Sequence, residues 1–451
     1  MPKPMDLDAI FKAYDVRGVV PDQLDATAAR RIGYAFARFV DAPRIAVGRD
    51  VRTSSPVLAT AFCDGVHAAG VDVDDLGMIT TDMVYFAAGH LDEPGAMITA
   101  SHNPKGYNGI KMCLAGAAPV GADSGLVEIR RLADDEIPTT STGTSASVDV
   151  LQEYVDHVIE ISGADSVSGL RVGADGGNGV AGVAIPAIFD RLEVDLIPLY
   201  LDPDGTFPNH HPDPLRPENL EDLKRLIATD SPDFGVAFDG DADRAFFIDD
   251  AGETLPGSTV TAMVARWFLA RRPGSTIVHN LICSRAVPET VRRHGGTPIR
   301  TRVGHSYIKA VMAETGAVFG GEHSGHYYFA DNYRADSGIL AMLVLMRLVS
   351  EAGSPLSELR REYEPYRQSG EINMQVSDPT AEIERVAAAF ENGDRLDGLT
   401  VDLGDRWFNL RPSNTEPVLR LNVEAPDAGA VQELVDRVRS LIREVDRAGA
   451  A

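Results

Sequence analysis

Cysteine is scarce in this chain: Cys63, Cys113 and Cys283 are three among 451 residues. They lie far apart and share no metal-ligand spacing, which points away from a disulfide scaffold or a zinc finger and toward reduced thiols of a cytoplasmic protein. Positive charge is also in short supply. Lys and Arg number 42 against 67 Asp and Glu, for a formal net charge of −25. Nucleic acid and anionic membranes are therefore poor partners, and an anionic substrate would need a local basic pocket. Long apolar runs are missing too: no stretch reaches the ~20 residues of a spanning helix. Met1-Pro2-Lys3-Pro4-Met5-Asp6 carries no signal-peptide core, so a cytoplasmic location is expected.

What is present is ordinary globular material, 44% hydrophobic and 24% charged. The length exceeds what one core supports, so three or four domains are expected. Residues 26–40 have the apolar spacing of a helix, with Ala29, Ile32, Gly33 and Phe36 on one face. Residues 44–48 read as a strand, 49–52 as a polar loop, and 54–56 as a helix start with an early proline. A second strand at 71–77 completes a strand–helix–strand unit, which predicts a parallel α/β sheet. Residues 138–147, rich in Thr, Ser and Gly, read as a linker.

Similar blocks follow. A helix at 150–161 precedes a strand at 170–175 and the turn Gly176-Gly177-Asn178-Gly179, which reads as a plain βα turn rather than a phosphate loop. A strand at 234–238 ends in an acidic run, helices are expected at 258–271 and 336–350, and residues 318–326 read as strand then polar loop. The last block changes character, with strands at 371–376 and 418–424, a loop around Trp407 and a helix at 428–448. The predicted fold is α/β, three consecutive similar α/β domains with mixed sheets plus a smaller C-terminal α+β domain around a central cleft. The expected boundaries are 1–147, 148–249, 250–364 and 365–451.

Four polar loops carry the chemistry. In Thr99-Ala100-Ser101-His102-Asn103-Pro104 a hydroxyl nucleophile follows an apolar strand, next to an imidazole. The proline keeps Asn103 out of helical conformation. Lys111 lies shortly after. Asp239, Asp241 and Asp243 alternate around Gly240, so their carboxylates can converge. Three carboxylates together call for a hard divalent cation, and Mg²⁺ suits oxygen ligands that leave room for phosphate. Arg244 adds a cation for a phosphoryl oxygen. Glu322, Ser324 and His326 alternate in a glycine-flanked turn that can grip adjacent sugar hydroxyls. Arg411, Ser413, Asn414 and Thr415 crowd donors into a proline-bounded segment suited to a dianionic phosphate.

Together, and in this order, the four loops resemble the α-D-phosphohexomutase family over essentially the whole chain. The resemblance implies that Ser101 carries a phosphoryl group and that one Mg²⁺ bridges it to Asp239, Asp241 and Asp243. It matches Lys111 and His326 to the general acid/base positions. Tyr14, Arg17, His102, Arg244, Gly304 and His305 match further contact positions. The implied substrates are hexose phosphates, with hexose 1,6-bisphosphate as activator and intermediate, in a monomer or dimer.

Glu-X-Ser in the sugar loop resembles the phosphomannomutase/phosphoglucomutase branch. His323 at X departs from the methionine of well-known bacterial members, and Ile282 stands where some members have a substrate-contacting lysine. The alternative readings are a phosphoglucosamine mutase and, further off, a phosphoserine-dependent sugar phosphatase. The Arg411 segment argues against the phosphatase, which has no need to hold a non-reacting phosphate.

Overall fold

The computed structural model describes residues 6–139, 142–391, 393–413 and 418–443. Three mixed sheets and one antiparallel sheet follow one another along the chain. The first has six strands in the order Val16–Val19, Tyr107–Cys113, Gly95–Ile98, Arg44–Arg49, Asp72–Met78 and Ser145–Ser147. Its centre is parallel, but Tyr107–Cys113 runs antiparallel to both neighbours. The parallel centre follows the strand–helix–strand spacing, and the sheet as a whole is mixed, as expected for these domains. The 138–147 linker is corrected at its end: Ser145–Ser147 pairs with Val73 to Asp75 as an edge strand. Three exposed small residues give no periodic signal, which is why the stretch reads as a linker.

The second sheet orders Ala245–Asp249, Phe234–Phe238, Ser168–Asp175 and Glu193–Leu199. The third orders Thr297–Thr301, Thr276–Asn280, Phe319–Gly321, Tyr327–Phe329 and Ala335–Asp336. Each repeats the plan of the first, a parallel core followed by an antiparallel return strand. The fourth sheet is antiparallel throughout: Arg367–Gln375, Val418–Ala425, Trp407–Pro412 and Leu399–Asp402. Trp407 opens a strand there instead of sitting in the expected loop. Its ring N–H donates to the buried Glu424 carboxylate across the pair, a contact that local pattern does not reveal.

Helices cover the sheets. Ala26–Val40 and Ser55–Ala68 meet at Gly33 and Gly65, where a Cβ would lie 2.1 Å from the Phe62 carbonyl oxygen and 2.0 Å from that of Arg30. Only glycine allows so close a crossing. The apolar helix expected at 336–350 is Gly338–Ala352, because Ala335–Asp336 is spent as an edge strand and Ser337 caps the helix through the Leu340 N–H. Of the helix expected at 428–448, Ala428–Arg439 is helical and 440–443 are not, while 444–448 lie outside the described residues. Among the described residues no single helix is long and apolar enough to cross a membrane.

Candidate active site

The three α/β sheets each place one polar loop at the same point of their plan, between the last parallel strand and its antiparallel return. The loop after Gly95–Ile98 carries Ser101, that after Phe234–Phe238 the three aspartates, and that after Phe319–Gly321 the Glu322–His326 turn. A hairpin return brings a strand end back on itself, so side chains in a few residues face one point. In the fourth sheet Arg411 is the next-to-last residue of Trp407–Pro412, before the return along Val418–Ala425. Asn414 and Thr415 lie outside the described residues. Ser413 donates its backbone N–H to the Val418 carbonyl at 2.9 Å.

Ser101 sits at φ 49°, in the left-handed region uncommon for a residue with a Cβ. Its Oγ donates to Asp239 Oδ2 at 2.7 Å, lies 3.1 Å from His102 Nδ1 and accepts from Arg244 Nη2 at 3.3 Å. Arg244 also contacts His102 Nδ1 and donates through Nε to Asp239 Oδ2 at 3.0 Å. Burial, then Arg244 and Arg17, push His102 well below its ordinary range, so the ring is neutral. Arg17 donates to the Ala100 carbonyl at 2.7 Å and contacts Asn103 and Asp15.

Asp239, Asp241 and Asp243 are fully buried, and oxygens from all three lie within 4.8 Å of one another. Lys111 Nζ stands 2.7 Å from Asp241 Oδ2 and 2.5 Å from Asp243 Oδ2. Thr81 Oγ1 donates to Asp241 Oδ2 at 2.6 Å. Burial lifts Asp239 to about 7, with the neighbouring Asp243 and Asp241 adding to the lift against Arg244. Burial also raises Asp241, but Lys111 overrides it and the carboxyl ends below its ordinary value. Lys111 in turn loses to burial and gains more from Asp241 and Asp243, so it ends well above its ordinary value and is charged. Asp241 Oδ1 and Asp243 Oδ1 are buried and have no hydrogen-bond partner among the described residues. Two bare carboxylate oxygens beside a third carboxylate and a serine hydroxyl are the donor set of a hard cation with open positions, so the residues fit Mg²⁺.

The metal loop and the sugar loop are joined through backbone: Arg244 bridges His326, and Ala245 N–H donates to the Gly325 carbonyl at 3.2 Å. Glu322 is buried with both oxygens engaged, Oε2 by Asn280 at 2.9 Å and Oε1 by Tyr328 at 2.5 Å. Ser324 is on the same turn, half-buried. His326 Nδ1 lies 2.9 Å from Asp336 Oδ2 and 3.9 Å from Asp243 Oδ1. Burial works to lower His326, but Asp243 and Asp336 outweigh it and hold the ring above its ordinary value. His323 Nδ1 is 3.3 Å from Asn280 Nδ2, and burial followed by Arg411 and Arg420 pushes it down to about 3. Ile282 is buried.

Gly304 has φ 133°, and a Cβ there would lie 2.6 Å from the Tyr14 hydroxyl oxygen. That close approach needs glycine. It brings the Tyr14 ring to 5.2 Å from His305 at the start of helix His305–Thr315. Burial, with Tyr307 next, pushes the Tyr14 hydroxyl up to about 12, and burial with Lys309 pushes His305 down to about 3. Arg411 donates to Glu371 Oε2 at 2.8 Å, and Arg420, its cross-strand partner, lies 3.3 Å from Glu371 Oε1.

Several members escaped the sequence reading. Asp50, Arg52, Asp336, Lys309, Asn280, Glu371 and Arg420 all support the loops. Alternating polar residues on the strand Val418–Ala425, including Arg420 and Asn422, signal a polar face on an otherwise buried sheet and could have pointed to Arg420. For Asp336 and Lys309 no local signal exists.

Known proteins share this architecture and length. Four phosphoglucomutase/phosphomannomutase family profiles match in sequence: alpha/beta/alpha domain I at residues 8–137, domain II at 152–252, domain III at 256–366 and the C-terminal domain at 371–441. A phosphomannomutase of Salmonella montevideo is 39% identical over 430 residues, covering 92% of this chain and 94% of that protein. A protein of Xanthomonas campestris pv. campestris described as phosphohexose mutases is 38% identical, covering 96% of this chain and 99% of its own. The crystal structure of a phosphoglucomutase/phosphomannomutase family protein from Burkholderia thailandensis superposes with a TM-score of 0.89 at 35% identity, over 97% of both chains. With every sheet, every site-bearing hairpin and nearly the whole length accounted for, the chain belongs to the α-D-phosphohexomutases, the phosphoglucomutase/phosphomannomutase family of mutases.

Proposed function

We propose that the protein interconverts hexose 6-phosphate and hexose 1-phosphate, of mannose, glucose or both, through a phosphoserine at Ser101 and a hexose 1,6-bisphosphate intermediate. The observation that carries this reading is Ser101 Oγ, 2.7 Å from Asp239 in a buried three-aspartate cluster and flanked by Arg244.

In the first half-reaction the bond between phosphorus and Ser101 Oγ breaks, and a bond forms from phosphorus to a hydroxyl oxygen of the hexose monophosphate. His326 takes that hydroxyl's proton: Asp336 occupies its Nδ1, which leaves Nε2 for substrate. Lys111, protonated beside Asp241 and Asp243, gives a proton to the departing Ser101 oxygen, and with Arg244 it offsets the negative charge spread over the transferring group. The neutral His102 and Arg17 hold the loop around the serine. Mg²⁺, held by Asp239, Asp241, Asp243 and the Ser101 side chain, would draw charge from the phosphoryl oxygens.

Glu322 and Ser324 take the sugar hydroxyls. Asn280 and Tyr328 fix the direction of the Glu322 carboxylate before substrate arrives. Arg411, Ser413, Asn414 and Thr415 hold the phosphate that is not reacting, with Tyr14, Gly304 and His305 on the facing wall. After the bisphosphate turns round, its other phosphoryl group returns to Ser101. In this reading the four working units are residues 1–147, 148–249, 250–364 and 365–451.

Intact-protein mass before and after treatment with hexose 1,6-bisphosphate tests the reading. A species heavier by about 80 Da, one phosphoryl group, is expected in the wild type and absent in Ser101→Ala. Turnover of mannose 1-phosphate and glucose 1-phosphate above glucosamine 1-phosphate is expected. A strong preference for glucosamine 1-phosphate would assign the runner-up activity.

A further inference from the structure

Both peptide groups of Ser101 are tied to one buried carboxylate. On the amide side, Ser101 N–H donates to Thr99 Oγ1 at 2.9 Å, and Thr99 Oγ1 donates to Asp50 Oδ2 at 2.7 Å. On the carbonyl side, Arg52 Nη2 donates to the Ser101 oxygen at 2.7 Å, and Arg52 Nε faces the same Asp50 oxygen at 3.2 Å. The rest of the guanidinium serves the same loop. Nη2 also donates to the Asn103 carbonyl at 2.7 Å, and Nη1 to those of Pro104 and Tyr107 at 2.9 and 3.1 Å. One side chain thus satisfies four carbonyls of the segment that carries the nucleophile. Asp50, Arg52 and Thr99 are each 3% exposed or less. The ring of Phe207, from the loop 203–217, lies 5.5 Å from the guanidinium carbon.

A burial this complete is costly for an arginine unless its charge is paired and its donors are used. Here Asp50 faces the charge and both terminal nitrogens donate to backbone carbonyls, while Nε, 3.2 Å from Asp50, completes no hydrogen bond among the described residues. The left-handed φ of 49° at Ser101 needs outside support, since a residue with a Cβ does not favour it. That conformation is what turns Oγ toward Asp239.

We infer that Asp50, Thr99 and Arg52 form a positioning unit that fixes the Ser101 backbone so that Oγ meets the metal loop in both half-reactions. None of the three touches the reacting atoms. The inference rests on the proposed phosphoserine reading. Its consequence is specific: loosening the unit misplaces the nucleophile without altering the sugar and far-phosphate contacts, which belong to other loops. A misplacement near 1 Å is enough to slow transfer on the order of 100-fold.

The test uses Thr99→Val, which keeps shape and removes the hydroxyl, Thr99→Ser, which restores it, and Arg52→Lys, which keeps charge and loses the fork. Phosphorylation of each folded protein by hexose 1,6-bisphosphate is followed by mass, with kcat, KM and thermal unfolding measured alongside. In Thr99→Val, kcat and the phosphorylation rate should fall at least tenfold with KM within about twofold, and Thr99→Ser should recover most of the loss. Arg52→Lys should show the same split. Wild-type kcat in Thr99→Val would overturn the inference, as would losses in both variants that merely track the fraction unfolded. If wild-type protein takes no phosphoryl group on Ser101, the phosphoserine reading fails and this inference with it. If wild type is phosphorylated and Thr99→Val matches it, only the positioning unit fails.

Discussion

Lys309 Nζ lies 2.8 Å from Asp336 Oδ1, with both side chains 2% exposed. The same ammonium stands 3.9 Å from the centre of the Tyr85 ring, which belongs to the first sheet's layer. The other Asp336 oxygen meets His326. One carboxylate therefore neutralises a buried lysine between two domains and orients the imidazole of the sugar loop.

Removing that carboxylate strands a buried charge. Asp336→Asn should destabilise the protein by about 3–5 kcal/mol, the usual cost of breaking a buried pair. The double variant Lys309→Met, Asp336→Asn should recover most of this, because no uncompensated charge remains. Thermal unfolding of the two single variants and the double reads the coupling. Activity should stay low in the double variant, since His326 still lacks an anion at Nδ1. Additive melting shifts would mean the pair is not coupled.

Asp82 joins three domains and should make stability depend on pH. It accepts from Tyr154 and Ser337 at 2.5 Å each and also contacts Thr80. Burial raises its carboxyl from 3.8 to about 6. A raised folded-state value means that the folded protein binds this proton more tightly than the unfolded chain does. The stabilisation is complete below pH ~4 and is lost as pH climbs through about 6. The rise from 3.8 to about 6 is worth about 3 kcal/mol. Compared with Asp82→Asn, which cannot ionise, wild type should lose relative melting temperature between pH 4 and 6 and none above 7. A constant difference across that range would mean the group does not titrate there.

Asp241→Asn removes one anionic oxygen from the cluster in which Asp241 Oδ1 and Asp243 Oδ1 have no hydrogen-bond partner among the described residues. Mg²⁺ should bind more weakly, with the activity half-saturation moving to higher Mg²⁺ by roughly tenfold or more, as expected for losing a charged ligand. Calorimetric titration with Mg²⁺ alone provides a readout independent of turnover. Unchanged half-saturation in both measurements would remove the aspartates from the metal site.

The four site loops were legible because each has a local signature: Ser101 beside a pre-proline turn, three alternating aspartates, Glu322-His323-Ser324, and Arg411 in a polar segment. Their chemistry sits in consecutive residues. The supports were not legible, because theirs does not. Arg52 is 49 residues from Ser101, and the bond between them depends on the Asp50 loop meeting the loop after Gly95–Ile98. Read alone, Arg52 is a charged loop residue expected in solvent. Strand–helix–strand spacing gives the parallel centre of each α/β sheet, and the sheets are mixed as expected; what escaped was the short edge strands. Ser145–Ser147 and Ala335–Asp336 are too short and too plain to register as strands.

Substrate choice should divide between two kinds of residue in one turn. Glu322→Ala and Ser324→Ala should depress turnover of all hexose phosphates together, by 10-fold or more for the buried, doubly hydrogen-bonded Glu322. His323→Gln and His323→Met should instead change the ratios among mannose, glucose and glucosamine phosphates. His323 is held by Asn280, and the charges of Arg411 and Arg420 act on its ring, so under the proposed function it stands between the sugar loop and the far-phosphate residues. Steady-state kcat/KM for the three substrates gives the ratios. Equal ratios in wild type and the His323 variants would place selectivity elsewhere.

Arg411→Lys should release the bisphosphate before it can turn. Under the proposed function the reacting phosphoryl group is at Ser101 and the aspartates, so the far phosphate needs its own holder. Arg411 is 5% exposed near the end of its strand, and one arm of its fork is already spent on Glu371. The planar guanidinium leaves a second arm and Nε for phosphate, and Arg411 Nε has no partner among the described residues. Lysine offers a single mobile ammonium, which cannot satisfy Glu371 and a phosphate in one fixed geometry. Losing one charge-assisted bond costs about 1.5–3 kcal/mol, roughly ten- to hundred-fold in affinity. In the proposed mechanism transfer at Ser101 makes no use of this contact. Phosphorylation of the serine by saturating bisphosphate should therefore reach the wild-type level, while KM for hexose phosphate rises and free hexose 1,6-bisphosphate appears with each turnover. Measuring released bisphosphate, KM and phosphoserine occupancy on one preparation separates the steps. Unchanged KM without added bisphosphate release would show that Arg411 does not hold the far phosphate, whereas loss of serine phosphorylation at saturation would place Arg411 in the transfer step itself.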